Sequence, residues 1–205
     1  MSAVMNKAVK SQLRPFGARK QANVRLQLRL RGSLSCLRSS VERRTDCKFF
    51  QIGKETGPGI SITDITPEIK HEIEVLNIRE GTVHVLSQHT TTAVTINESE
   101  PRLMNDIKQW LLKLAPPGEP YLHNDLHLRE APKGWPGGHA AWVAQEPINA
   151  HSHLLSILIG NTLSVPVSDG KLCLGTWQSI LLVDLDGPRK RTVGVQLVRH
   201  GSVSV

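Results

Sequence analysis

The stretch Leu172-Cys173-Leu174-Gly175-Thr176-Trp177-Gln178-Ser179-Ile180, continued by Asp184-Leu185-Asp186-Gly187-Pro188-Arg189-Lys190-Arg191, says most about how this chain folds. Apolar residues alternate, a Thr-Trp-Gln cluster interrupts them, and a Gly-Pro turn then ends in basic residues. Read forward, this is a strand carrying Thr, Trp and Gln in its middle, then a turn of arginines: a polar site built on a sheet. The plainer alternative is a hairpin with a buried Trp and a solvated basic turn.

Working outward, the strand signals repeat. Lys48–Ile52 reads as a strand, and 53–59 is a glycine-rich turn. Ile60 to Ile65 alternates strictly. Thr66 is a good N-cap, Pro67 suits the first helical position, and Ile69, Ile73 and Leu76 hold helical spacing to about Asn77. Strands follow at Thr82–His89 and Thr90–Ile96, then a helix at Pro101–Leu114 with Leu103, Ile107, Trp110, Leu111 and Leu114 on one stripe. Residues 118–148 are irregular, and a loop this long in a small domain is usually functional or disordered. Three His and two Trp in or beside it favour function. Asn149 caps a helix over His151–Ile159 that ends at Gly160. Strands at Leu163–Val167, Lys171–Leu174, Ser179–Asp184 and Thr192–Arg199 complete an α+β chain. The expected fold is a compact sandwich with a largely antiparallel sheet and two or three helices.

Charge divides the chain. Residues 1–45 hold 11 of the 25 Lys and Arg and a single acid, Glu42. Residues 46–205 hold 14 basic and 17 acidic residues, a net of −3, so the overall +7 belongs to the N-terminal arm. The two regions are read as a Ser/Arg-rich arm (1–45) and one globular domain (46–205). A near-neutral body argues against nucleic-acid binding, which needs basic side chains clustered on the folded surface. The arm has the composition of an organelle transit peptide, chloroplast ahead of mitochondrion. A disordered basic tail on a cytoplasmic protein, or a misassigned start, are the alternatives. Cys36, Cys47 and Cys173 are odd in number and far apart, which fits a reducing compartment. No run of 18 apolar residues occurs, so no membrane span is expected.

All nine His lie after residue 70. His89-Thr90-Thr91 gathers an imidazole and hydroxyls between two strands; in the plainer reading these Thr are only strand formers. Asn97-Glu98-Ser99-Glu100 precedes a helix, where acids are favoured in any case. His123 opens the irregular loop. At its close, His151 and His153 point about 200° apart on a helix, so one of them, His153, is chosen for the site. His89, His123 and His153 are the candidate metal ligands, since three His with an open fourth position make a catalytic zinc arrangement. Arg189 offers a planar fork for phosphate, helped by the helix start at Asn149.

In this order the segments resemble the YjbQ-type (UPF0047) family, often labelled secondary thiamine-phosphate synthase. The resemblance rests on His89-Thr90-Thr91, Thr95-Ile96-Asn97-Glu98, His123, Asn149 to His153, Leu172 to Gln178 and Asp186-Gly187-Pro188-Arg189, and covers residues 47–200. It implies a homotrimer with a His/Glu/Arg pocket and a weak thiamine-phosphate synthase (transferase) activity. His89, Glu98, His123 and His153 would be catalytic. Thr90, Thr91, Asn97, Asn149, Thr176, Gln178 and Arg189 would bind substrate and phosphate. A divalent metal, Zn or Mg, is a possible cofactor, and a phosphorylated small molecule is the expected partner. The alternative is a phosphorylated-metabolite or metal-binding protein without fast chemistry. The chain departs from shorter members at Leu126 to Glu146, an insertion carrying Trp135 and Trp142.

Overall fold

The computed structural model describes residues 46–201. The transit-peptide reading of residues 1–45, and Cys36 with it, lies outside them. The described chain builds strands β1 (Cys47–Glu55), β2 (Gly59–Asp64), β3 (Gly81–Ser87), β4 (Thr92–Asn97), β5 (Thr162–Ser168), β6 (Lys171–Leu172), β7 (Ser179–Gly187) and β8 (Lys190–Arg199). The helices are α1 (Thr66–Val75), α2 (Pro101–Leu114), α3 (Gly138–Val143) and α4 (Ala150–Ile159).

Every strand pair is antiparallel. They form two sheets, ordered β1-β8-β3-β5-β6 and β2-β7-β4. Alternation in the first sheet sends Val83, Val85, Val165, Val193, Val195 and Leu197 inward, where they meet Val94, Ile180 and Leu182 of the second sheet and Ile65, Ile69 and Ile73 around α1. The other face of the second sheet offers Ala93, Val183 and Leu185 to Leu111 of α2 and Leu155 of α4. The result is three layers: sheet, sheet, helices. β7 is the middle strand of the middle layer, which is why Ile180-Leu181-Leu182-Val183 is apolar without a break.

The structure corrects several expectations. Among the described residues there are four α-helices, because α3 forms inside the stretch 118–148 that was expected to be irregular. Gly137 and Gly138 take positive φ (80° and 72°) just where α3 begins. Thr66 is not an N-cap: the Asp64 carboxylate accepts from the Thr66 N–H at 2.8 Å, while the Thr66 hydroxyl accepts from the Ile180 N–H, also at 2.8 Å. Residues 173–178 form no strand, and Trp177 is 72% exposed rather than buried. β7 and β8 do not pair with each other, so Pro188-Arg189 is no hairpin. It is a corner at which the chain leaves one sheet for the other.

Candidate functional site

Three such corners lie together. The chain crosses from the five-stranded to the three-stranded sheet between β1 and β2 and again between β3 and β4. It returns between β7 and β8. Thr56 belongs to the first corner, His89, Thr90 and Thr91 to the second, Arg189 to the third. They are tied to one another. The Thr56 N–H donates to the Arg189 carbonyl at 3.0 Å, and the Arg189 N–H donates to the Thr56 hydroxyl at 3.1 Å. A side chain at Gly187 would collide with the Gly57 carbonyl, so this close approach requires glycine.

A buried ion pair anchors the corners. Asp184, on β7, is fully buried, and the side chain of Arg191, on β8, is 4% exposed. Asp184 Oδ1 accepts from Arg191 Nη2 at 2.6 Å and from the Asp186 N–H at 3.0 Å. Asp184 Oδ2 accepts from Arg191 Nε at 3.0 Å and from the Thr56 hydroxyl. Arg191 Nη2 also donates to the Thr91 hydroxyl at 3.1 Å. Burial pushes the Asp184 carboxyl up, but hydrogen bonds from Arg191 and Thr56 outweigh it and hold the group below the ordinary carboxylate value. Sequence reading missed this pair. Its only signal was an acid inside an apolar strand with an Arg seven residues on.

Above the pair opens a cavity of about 470 Å3. His89, Thr90 and Thr91 form one wall, and Arg189 and Arg191 another. Asn149 and His153 come from the start of α4, and His123 from the 3-10 turn Leu122–Asn124. His153 does face the cavity, one helical turn from Asn149. Asn149 holds the N-cap position of α4, as expected, but its side chain makes no capping bond: its Nδ2 donates to Asp186 Oδ2 at 2.8 Å.

The Thr192 N–H donates to His89 Nε2 at 2.9 Å. That nitrogen therefore carries a lone pair, and a neutral His89 holds its proton on Nδ1. Burial disfavours protonation of His89, and the guanidiniums of Arg191 and Arg189 add to the effect against the pull of Asp184. His123 and His153 meet edge to face with ring centroids 4.8 Å apart. Burial, then the neighbouring His123, lowers the proton affinity of His153. With His89 Nε2 committed to the backbone, the three rings do not fit a three-histidine metal centre. Among the described residues, no group of three or more His, Cys, Asp or Glu is placed to hold a metal ion.

Segment 126–146 contributes two residues that sequence reading missed. Arg129 and Glu146 line the cavity and are joined by an ion pair at 3.1 Å, with the Arg129 guanidinium 5.0 Å from the Trp142 ring centroid. Arg129 Nη1 also donates to the His123 carbonyl at 3.1 Å, which fixes the backbone beneath that ring. Arg189 pairs with Asp186 at 3.0 Å. Each arginine of the site thus has a carboxylate partner.

The remaining candidates lie elsewhere on the chain. Asn97 and Glu98 sit at the far end of β4, and Thr176 and Gln178 precede the far end of β7. A nine-residue strand spans about 30 Å, which separates Gln178 from Arg189. Within one chain these four do not line the cavity. The Gln178 side chain instead accepts from the Gly175 N–H at 2.8 Å, closing its own turn.

Fold and site together define a two-sheet α+β domain with a charge-compensated His/Arg cavity at its sheet corners. The chain belongs to the YjbQ family: the model described as UPF0047 protein YjbQ-like matches residues 50–200. A UPF0047 protein of Archaeoglobus fulgidus is 39% identical over 147 residues, covering 72% of this chain and 98% of that protein. The YugU protein of Bacillus subtilis, also UPF0047, is 29% identical over 66% of this chain and 87% of its own length. Among solved structures, a YbjQ-like protein of Sulfolobus solfataricus superposes with a TM-score of 0.64 at 30% identity, covering 76% of this chain and 99% of that one. A YjbQ/UPF0047 protein of Clostridium acetobutylicum gives a TM-score of 0.60 at 29% identity, over 72% of this chain and 98% of its own.

Proposed function

We propose that the corner cavity binds a phosphorylated small molecule and transfers a group on it, in the manner of a thiamine-phosphate synthase. One observation carries the reading: the guanidiniums of Arg189 and Arg191 and the imidazole of His89 share one cavity with the His123–His153 pair. Among the described residues, the recorded hydrogen bonds of Arg191 use Nε and Nη2, and those of Arg189 use Nε with Nη2 in its ion pair. One Nη1 on each remains for an anion, where charge-assisted bonds are strongest. His89, neutral and bearing its proton on Nδ1, is a donor toward charge that builds on a leaving group. His153, whose proton affinity is lowered, stands unprotonated near neutral pH, the form that accepts a proton.

In such a transfer a pyrimidine diphosphate loses pyrophosphate, and a thiazole nitrogen bonds to the carbon left behind. The site must hold the two anions and stabilise the departing pyrophosphate. The homotrimer is part of this proposal. A neighbouring copy would supply Asn97, Glu98, Thr176 and Gln178, and exposed Trp177 and Trp110 are the apolar surfaces it would cover.

The test is to incubate the protein with both half-molecules and measure thiamine phosphate. Product from the wild type and much less from Arg189→Lys supports the transferase. Ligand-induced stabilisation without product would leave a binding protein instead.

A further inference from the structure

Among the described residues β1 pairs with β8 alone, so it forms an edge of the five-stranded sheet. The Arg199 N–H donates to the Asp46 carbonyl at 2.8 Å and the Thr56 N–H to the Arg189 carbonyl at 3.0 Å, one bond beyond each end of the ladder. Antiparallel ladders alternate, and the register runs unshifted from Cys47↔Val198 to Glu55↔Lys190. Even-numbered residues of β1 therefore exchange bonds with β8. Phe49, Gln51 and Gly53 turn their N–H and C=O groups to the free edge. No proline or bulge interrupts the nine residues of β1, although both are common ways to blunt an edge. Beside the edge lies a groove of about 550 Å3. Phe50, Ile52 and Pro67 supply its apolar lining, and Glu68, His71 and Glu72 of α1 its polar lining. The last three fall at i, i+3 and i+4, so they share one helix face. Lys54 pairs with Glu68, but Glu68 Oε2 has no hydrogen-bond partner. Glu72 enters no ion pair among the described residues.

From this juxtaposition we propose that the groove takes an extended peptide of a partner protein, added to the sheet as a further strand along β1. The edge groups of Phe49, Gln51 and Gly53 give main-chain hydrogen bonds, which supply affinity for any extended chain. The groove selects among chains, because every second side chain of an added strand faces α1. An apolar side chain there covers Phe50, Ile52 and Pro67. A Lys or Arg two positions along meets Glu68 and Glu72, two carboxylates that Lys54 alone does not balance. The partner is thus an extended segment in which apolar and basic residues share one face. The groove has no lining residue in common with the corner cavity, and the proposal stands apart from the function given to that cavity.

Fluorescence anisotropy with the full chain and a labelled peptide, Thr-Val-Thr-Arg-Thr-Val-Thr with blocked ends, tests it. The control is the same peptide with Glu in place of Arg. The wild type should bind the Arg peptide about tenfold tighter than the Glu peptide, as expected for an attraction replaced by a repulsion. Glu72→Lys should abolish or reverse that preference. Gly53→Pro removes an edge N–H that β8 does not use, and a Cβ at Gly53 meets nothing within 4 Å, so the fold should survive. It should weaken both peptides about tenfold, and a melting curve checks that it folds. If it does not fold, Glu72→Lys carries the test alone. A wild type that binds neither peptide, or both equally, overturns the proposal. So does a preference that survives Glu72→Lys, or an affinity that survives a folded Gly53→Pro. If Gly53→Pro instead dissociates an oligomer and leaves peptide binding unchanged, the edge belongs to a second copy and the proposal is wrong.

Discussion

Removing Arg191 should be the most damaging single change at the site. Arg191→Leu would leave Asp184 fully buried with two of its four hydrogen bonds gone, retaining only the Thr56 hydroxyl and the Asp186 N–H. Breaking a buried pair by removing one partner costs about 3–5 kcal/mol, because a charge is stranded without compensation. For a domain of this size each kcal/mol moves the melting temperature by about 2–4 °C, so the fall should be roughly 6–20 °C. Adding Asp184→Asn removes the stranded charge and keeps an acceptor for the Asp186 N–H. The double variant should therefore recover about 1–3 kcal/mol relative to Arg191→Leu alone. Urea melts of the wild type, both single variants and the double variant close the cycle. A melting temperature for Arg191→Leu within about 2 °C of wild type, or strictly additive losses, would refute the idea that this pair anchors the corners.

Arg189→Lys keeps the charge but loses the planar fork. It should weaken phosphate-ligand binding about tenfold or more by calorimetry, with little change in melting temperature because its pair with Asp186 is partly exposed. Acid should destabilise the protein in two stages. His89, His151 and His153 bind protons less readily folded than at their ordinary value of 6.5, so the unfolded chain takes up more protons as pH falls below it. Stability is full above about pH 6.5 and declines beneath it. Asp64 and Asp184, held below 3.8, add a second loss only as pH drops through that region. Melting temperatures across this range check both stages, and stability that rises on mild acidification would contradict the histidine assignment. A chain starting at Asp46 should melt cooperatively at nearly the temperature of the full chain, and loss of soluble folded product would defeat that expectation.

The elements were legible because their periods are clean: Ile60–Ile65 alternates, and Leu103, Ile107 and Leu111 repeat at helical spacing. His89, His123, His153 and Arg189 stood out in the sequence because each interrupts or ends such a pattern, and all four line the cavity. Asp184 and Arg191 were not. Inside Ile180–Leu185 the acid reads as the strand's end, and only the sheet order shows that its partner must come from the next strand. Arg129 and Glu146 lie in a segment without period, where spacing carries no information. Thr176 and Gln178 stay away from the cavity within one chain for a geometric reason. They are near Arg189 in sequence, yet an intervening nine-residue strand carries them to the opposite end of the sheet. The same holds for Thr91 and Glu98 at the two ends of β4.

The most direct test of the anion site is a crystal structure of the protein grown with phenyl phosphate. Phosphate oxygens should lie about 2.7–2.9 Å from guanidinium nitrogens of both Arg189 and Arg191, with His89 Nδ1 facing the group. Phosphate density elsewhere, such as at Arg79 and Arg199, with the corner cavity holding only water, would contradict the account.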